Sequence, residues 1–151
     1  MAVYRIVLKE DPFLRERAKE VREVNQSVKK LINNMFETMY AEQGVGLAAP
    51  QIGVGKRVVV VDIGEGKIAL INPEIITGEG KEIANEGCLS CPGLMGEVPR
   101  MTKIKLKALD EEGNEMEMEA EDFLARAIQH EIDHLDGVLF LDKAENIQKI
   151  K

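Results

Sequence analysis

The residues best suited to chemistry in this chain gather in one stretch, Gln129-His130-Glu131-Ile132-Asp133-His134. It holds both histidines of the sequence, four residues apart, with a glutamate directly after the first. On a helix, positions i and i+4 lie one above the other, so both imidazoles point the same way and can grip one metal ion. Glu131 then projects beside that ion, where it can take up and return a proton. A catalytic site of this kind needs three protein ligands and an open fourth position. The pattern therefore asks for a third ligand elsewhere in the chain.

Cys88, Cys91 and an acid downstream of the histidines are the candidates. The two cysteines form a C-x-x-C, which in a reducing compartment binds metal or does redox chemistry more often than it forms a structural disulfide. A thiolate suits zinc or ferrous iron. Taken together, both cysteines and both histidines would make a closed Cys2His2 zinc site, the core of a non-catalytic, metal-stapled module. The gap from Cys91 to His130 far exceeds the ~12–15 residues of a zinc finger, however, and a closed site leaves Glu131 without work. A metallopeptidase of the HExxH type would instead take its third ligand from a downstream histidine or acid. No further histidine follows, and Asp136, Asp142 and Glu145 are the acids available. Residue types alone favour a catalytic site with one cysteine and leave the other readings open.

The elements that must position these groups can be read from periodicity. The helix carrying the motif begins near Asp122, a plausible N-cap, and ends at Gly137. Phe123, Leu124, Ala127, Ile128, Ile132 and Leu135 cover enough of its circumference to predict burial nearly all round. Polar groups inside such a helix need partners. A second helix follows the N-cap Asn25, with Val28, Leu31, Ile32, Met35, Phe36, Met39 and Tyr40 as its core-packing stripe. Asp11-Pro12 marks a turn, and a short helical patch is expected over 14–21. Strands are expected over 57–63, which contains four consecutive valines, and over 67–71, closed by Asn72-Pro73. Two alternating strands, 103–108 and 115–120, flank the turn Asp110-Glu111-Glu112-Gly113-Asn114. That hairpin sets lysines opposite glutamates on a solvated face with no catalytic role. The glycine- and alanine-rich segment 44–55 lets a backbone come close to something, lacks the lysine of a phosphate loop, and has Gln51 as its one polar side chain up to Gly55.

Composition sets the frame. A chain of 151 residues, 44% apolar and 31% charged, is a soluble globular protein and a single domain over 1–151. A net charge of −7 argues against a general nucleic-acid or membrane-surface binder. No apolar run approaches the ~18–20 residues of a membrane span. The N-terminal apolar stretch is too short for a signal peptide, so a cytoplasmic location is expected.

Three segments together resemble the signature of peptide deformylases. Gly44-Val45-Gly46-Leu47-Ala48-Ala49-Pro50-Gln51 is similar to the family's G-x-G-L-A-A-x-Q, Glu86-Gly87-Cys88-Leu89-Ser90 to its E-G-C-L-S, and Gln129 to His134 to its Q-H-E-x-D-H. They stand in the family's order, and the similarity runs from the first helix to about Leu141. With the elements above, the resemblance implies an α+β fold, mixed or antiparallel sheets packed around a central buried helix that carries the metal motif.

The resemblance also implies roles. Cys88, His130 and His134 hold the metal, with water in the fourth position, and Cys91 is a bystander. The reaction is hydrolysis of the N-formyl group from the formyl-methionine of newly made proteins, releasing formate. Glu131 takes the proton from water and delivers it to the departing nitrogen. The Gln51 side-chain amide and the Leu89 backbone N–H match the oxyanion donors. Gly46 hydrogen-bonds the extended substrate in strand fashion, while Val45, Ala127 and Phe123 line the methionine pocket. Glu86 and Arg100 resemble an ion pair that braces the Cys88 strand. The working ion is Fe2+, with Zn2+, Ni2+ and Co2+ also accepted by one thiolate and two imidazoles. The expected partner is the formylated nascent polypeptide, on the ribosome or off it, with a monomer as default. Two departures stand out. Many family members continue into a long C-terminal helix, whereas little follows Asp142 here, which leaves ribosome docking by such a helix outside the carry-over. Arg126 puts a bulky charge on the turn before His130, where it is expected to alter the subsites.

Overall fold

The computed structural model describes residues 3–150. In chain order its elements are helix α1 (Gln26–Ala41), strands β1 (Gly46–Ala48), β2 (Val58–Val61), β3 (Ile68–Glu79), β4 (Glu82–Glu86), β5 (Leu94–Arg100), β6 (Lys103–Leu109) and β7 (Glu115–Glu121), helix α2 (Asp122–Leu135) and strand β8 (Glu145–Lys149). The strands form an antiparallel five-stranded sheet of order β1-β2-β3-β6-β7 and an antiparallel three-stranded sheet of order β4-β5-β8. This is the expected α+β class.

The valine run explains the layering. All four residues of β2 are fully buried, and their side chains alternate between the two faces of the sheet. Val58 and Val60 join the α1 stripe of Val28, Ile32, Met35, Phe36 and Met39. Val59 and Val61 join Ala125, Ile128, Ile132 and Leu135 of α2. Each face thus meets one helix, which is why the strand is apolar on both sides. The α1 stripe is as expected except for Tyr40. It is 44% exposed, stacks on Phe36, and donates its hydroxyl to Asp62.

Three expectations need correction. The segment 14–21 is not helical beyond a short 3-10 turn, Pro12–Arg15, capped by the Asp11 carboxylate. Its backbone groups bond elsewhere: Ala18 N–H to the Leu135 carbonyl, and Lys19 N–H to that of Gly55. Asn72-Pro73 does not close a strand. β3 continues to Glu79 through a register shift between Ile71 and Glu74, a β-bulge. Asn72 sits there at φ +52, and its side chain both accepts from Val21 N–H and donates to the Val21 carbonyl. Asp122 is not the N-cap of α2; Glu121 takes that place without a side-chain bond.

α2 runs between the sheets. Every residue from Ala125 to Ile132 is buried, although Phe123 in the first turn is 53% exposed. Gly137 follows its C-terminus at φ +76, and a Cβ there would meet the Arg15 carbonyl oxygen at 2.4 Å. The turn therefore requires glycine both for its backbone and for space. The β6–β7 hairpin pairs Lys103, Lys105 and Lys107 with Glu121, Glu119 and Glu117 on the solvent face.

Candidate active site and metal centre

Helical spacing brings His130 and His134 together, with ring centroids 5.1 Å apart. The loop leaving β4 carries Cys88 to them, its Sγ 3.3 Å from His134 Nε2. The ligating atoms of Cys88, His130 and His134 all lie within 4.8 Å of one another. Cys91 is no part of this cluster; it is buried beside Val98 and Phe140. Of the downstream acids, Asp136 pairs with Arg57, Asp142 with Arg15, and Glu145 is exposed on β8. The donor set is one sulfur and two imidazole nitrogens.

The ring of His130 is held from behind. Its Nδ1 lies 2.8 Å from Glu86 Oε1, and Glu86 also accepts from Arg100 Nε and Nη2 and from Arg126 Nη1. Burial would raise the Glu86 carboxyl, but the bonds from His130 and Arg100 outweigh it and hold it down to about 2. Burial lowers His130, but its bond to the Glu86 carboxylate and the charge of Glu131 raise it above the ordinary imidazole value. With Nδ1 donating to Glu86, a cation on the Nε2 side would take the place of the second proton. Burial, with the charges of His130 and Arg100, pushes His134 well below the ordinary imidazole value and keeps it neutral, the form that ligates. The Cys88 thiol is pushed up by its hydrogen bond with Cys91, by burial and by the charge of Glu131. A cation among the three donors would reverse that and favour the thiolate. The donors fit a divalent transition metal.

Glu131 is buried, and its Oε1 finds no hydrogen-bond partner among the described residues. Burial pushes its carboxyl up to about 7, with Glu86 and Asp133 adding to the rise and His130 and Arg100 opposing it. A buried, unpartnered acid beside three convergent donors is costly to keep for packing alone. Gln51 is fully enclosed. Its Oε1 accepts from Ala48 N–H at 2.9 Å, and its Nε2 donates to Ser90 Oγ at 3.1 Å and toward Cys88 Sγ at 3.5 Å.

A cleft of about 380 Å³ opens over these groups. Gln51, Cys88, Leu89, His130 and Glu131 line it, and so do Val45, Gly46, Phe123 and Ala127. His134 sits behind them. Three features were not foreseen. Ser90 fixes the Gln51 amide. Glu86, expected to brace the Cys88 strand, is bonded directly to His130. Arg126, expected to alter the subsites, does line the cleft, and it also turns its guanidinium inward to Glu86 and to the carbonyls of Val98 and Glu82. Its position four residues before His130, on the same helix face, was the signal for that contact. Leu94 of β5 and Ile150, the residue after β8, also reach the cleft.

The sequence model of polypeptide deformylases matches residues 3–150. The chain belongs to this family. Peptide deformylases from Pelotomaculum thermopropionicum and Carboxydothermus hydrogenoformans are each 58% identical to it, over 150 and 147 residues. These alignments cover 99% and 97% of this chain and 97% of each relative. The crystal structure of the Thermotoga maritima peptide deformylase superimposes with a TM-score of 0.93 at 47% identity, covering 95% of this chain and 98% of that one. That of the Ehrlichia chaffeensis peptide deformylase in complex with actinonin gives 0.94 at 42% identity, covering 97% and 91%. Peptide deformylases are metal-dependent hydrolases that remove the N-formyl group from nascent peptides, and this chain is a hydrolase of that kind.

Proposed function

We propose that this deformylase works through one divalent cation held by Cys88, His130 and His134, with Glu131 as the group that moves the proton. The observation that carries the reading is the buried Glu131 carboxylate, its Oε1 without a partner among the described residues, beside three convergent donors at the floor of an apolar-walled cleft. The cation, Fe2+ in the cell with Zn2+, Ni2+ or Co2+ as substitutes, supplies Lewis-acid polarisation and lowers the pKa of water toward ~7.

The side chains do the rest. Glu131 accepts the proton of the attacking water and returns it to the amide nitrogen as the C–N bond breaks, releasing formate and a free amine. Gln51, clamped by Ala48 N–H and Ser90, presents an amide N–H toward Cys88, where the formyl oxygen gathers negative charge. The Leu89 backbone N–H is the second donor to that oxygen. Val45, Phe123 and Ala127 receive the methionine side chain, and β1, an edge strand, offers its free side at Gly46 to the extended substrate backbone. We take the enzyme to be a single-domain monomer in the cytoplasm that acts on nascent chains, including those on the ribosome. Among the described residues no helix is long and apolar enough to cross a membrane.

The test is product analysis with a formyl-Met tripeptide and protein loaded anaerobically with ferrous iron. The expected products are formate and the intact tripeptide. Cleavage between residues of the tripeptide would instead mark a peptidase and overturn the reading.

A further inference from the structure

We propose that Gly46 is a positioning residue for Glu131: the space left by its missing side chain is where the Glu131 carboxylate rests. The inference builds on the proton-transfer role given to Glu131 above. A Cβ built at Gly46 would stand 2.6 Å from Glu131 Oε2, closer than side chains pack, and 3.0 Å from Cγ and 3.1 Å from Cδ, tighter than most such contacts. The backbone itself makes no demand for glycine. Gly46 lies in extended β1 and outside the left-handed region that seven other glycines adopt. Space, not conformation, is what the position requires.

The backbones of both partners are held, so the Glu131 side chain is what must shift. β1 is pinned to β2 in the register Gly46↔Val61, and Glu131 belongs to the buried stretch of α2. The carboxylate's Oε1 takes no hydrogen bond among the described residues, so bonding does not fix the side chain at that oxygen. Packing against the bare backbone of β1 does so instead. An alanine at 46 would displace the carboxylate by something on the order of an ångström, and misplacement of that size costs about 10²-fold in rate. A glycine needed only for the approach of substrate would act differently, through KM.

A double-mutant cycle separates these cases. Formate release from a formyl-Met tripeptide is measured for wild type, Gly46→Ala, Glu131→Ala at high enzyme concentration and the double variant, each checked for metal stoichiometry. Gly46→Ala is expected to lower kcat about 10²-fold with KM within about threefold of wild type. In the Glu131→Ala background, where the Cγ, Cδ and Oε2 that the Cβ would meet are all gone, the same substitution is expected to cost the residual rate less than about threefold. An equal loss in both backgrounds, or a loss carried by KM, overturns the inference. Full wild-type rate in Glu131→Ala would instead overturn the role of Glu131 itself. Should Gly46→Ala alone fail to fold, the double variant is expected to melt cooperatively, and its failure to do so overturns the inference too.

Discussion

Glu86 accepts four hydrogen bonds, from His130, from two nitrogens of Arg100 and from Arg126, and is almost completely enclosed. Removing one cation from such a buried network leaves charge uncompensated and typically costs about 3–5 kcal/mol. Arg126→Ala is therefore expected to destabilise by that order in urea unfolding. It is also expected to weaken metal retention roughly 10–100-fold in a chelator competition, because partners behind a ligating histidine set its grip. Unchanged retention would show that Arg126 merely ties α2 to β4 and β5. Gln51→Ala removes one oxyanion donor and is expected to lower kcat by ~10²–10³ while metal content stays at one ion per chain. Cys91→Ser is expected to keep that stoichiometry, and Cys88→Ser to lose it.

The hairpin of β6 and β7 carries a ladder of exposed ion pairs, with Lys105 Nζ 3.3 Å from Glu117 and Lys103 Nζ 3.7 Å from Glu119. Exposed pairs of this sort contribute ~0–1 kcal/mol. Lys105→Ala should shift the urea midpoint by no more than that and leave formate release unchanged; a loss of activity would give this face a role it lacks here. This hairpin, α1 and the motif helix were legible because their periodicity is local and their burial follows from it. So was the pairing of the two histidines, since i, i+4 spacing sets both on one helix face, whereas residue types left Cys88 open and only the family resemblance singled it out. The rest depended on contacts distant in sequence. β8 reads Glu145-Asn-Ile-Gln-Lys149 and is exposed throughout, so nothing but its pairing with β5 makes it a strand. Asn72-Pro73 signals a stop by propensity, yet the bonds of Asn72 to Val21, 51 residues away, turn it into a bulge. Arg126 reads as a charge on the subsites until Glu86 is placed beside it.

The molecule as a whole should carry the imprint of its buried ion network in its response to acid. The Glu86 carboxyl is lowered from 4.5 to about 2 in the folded chain, a difference worth roughly 3 kcal/mol. The folded value lies below the unfolded one, so this stability is fully present above pH ~4.5 and is lost as pH falls toward ~2. Urea unfolding of metal-free protein should therefore weaken between pH 5 and 2.5 by about that amount, and Glu86→Gln should flatten this part of the curve. An identical slope in the variant would remove Glu86 from the account. The central claim, that a buried glutamate beside a Cys88-His130-His134 cation drives deformylation, meets its most direct test in one comparison. Wild type and Glu131→Ala are loaded anaerobically with ferrous iron, confirmed to hold equal metal, and assayed for formate release from a formyl-Met tripeptide. Wild type is expected to release formate, and release is expected to collapse in the variant at unchanged metal content. Comparable release by both proteins, or none from fully metallated wild type, would contradict it.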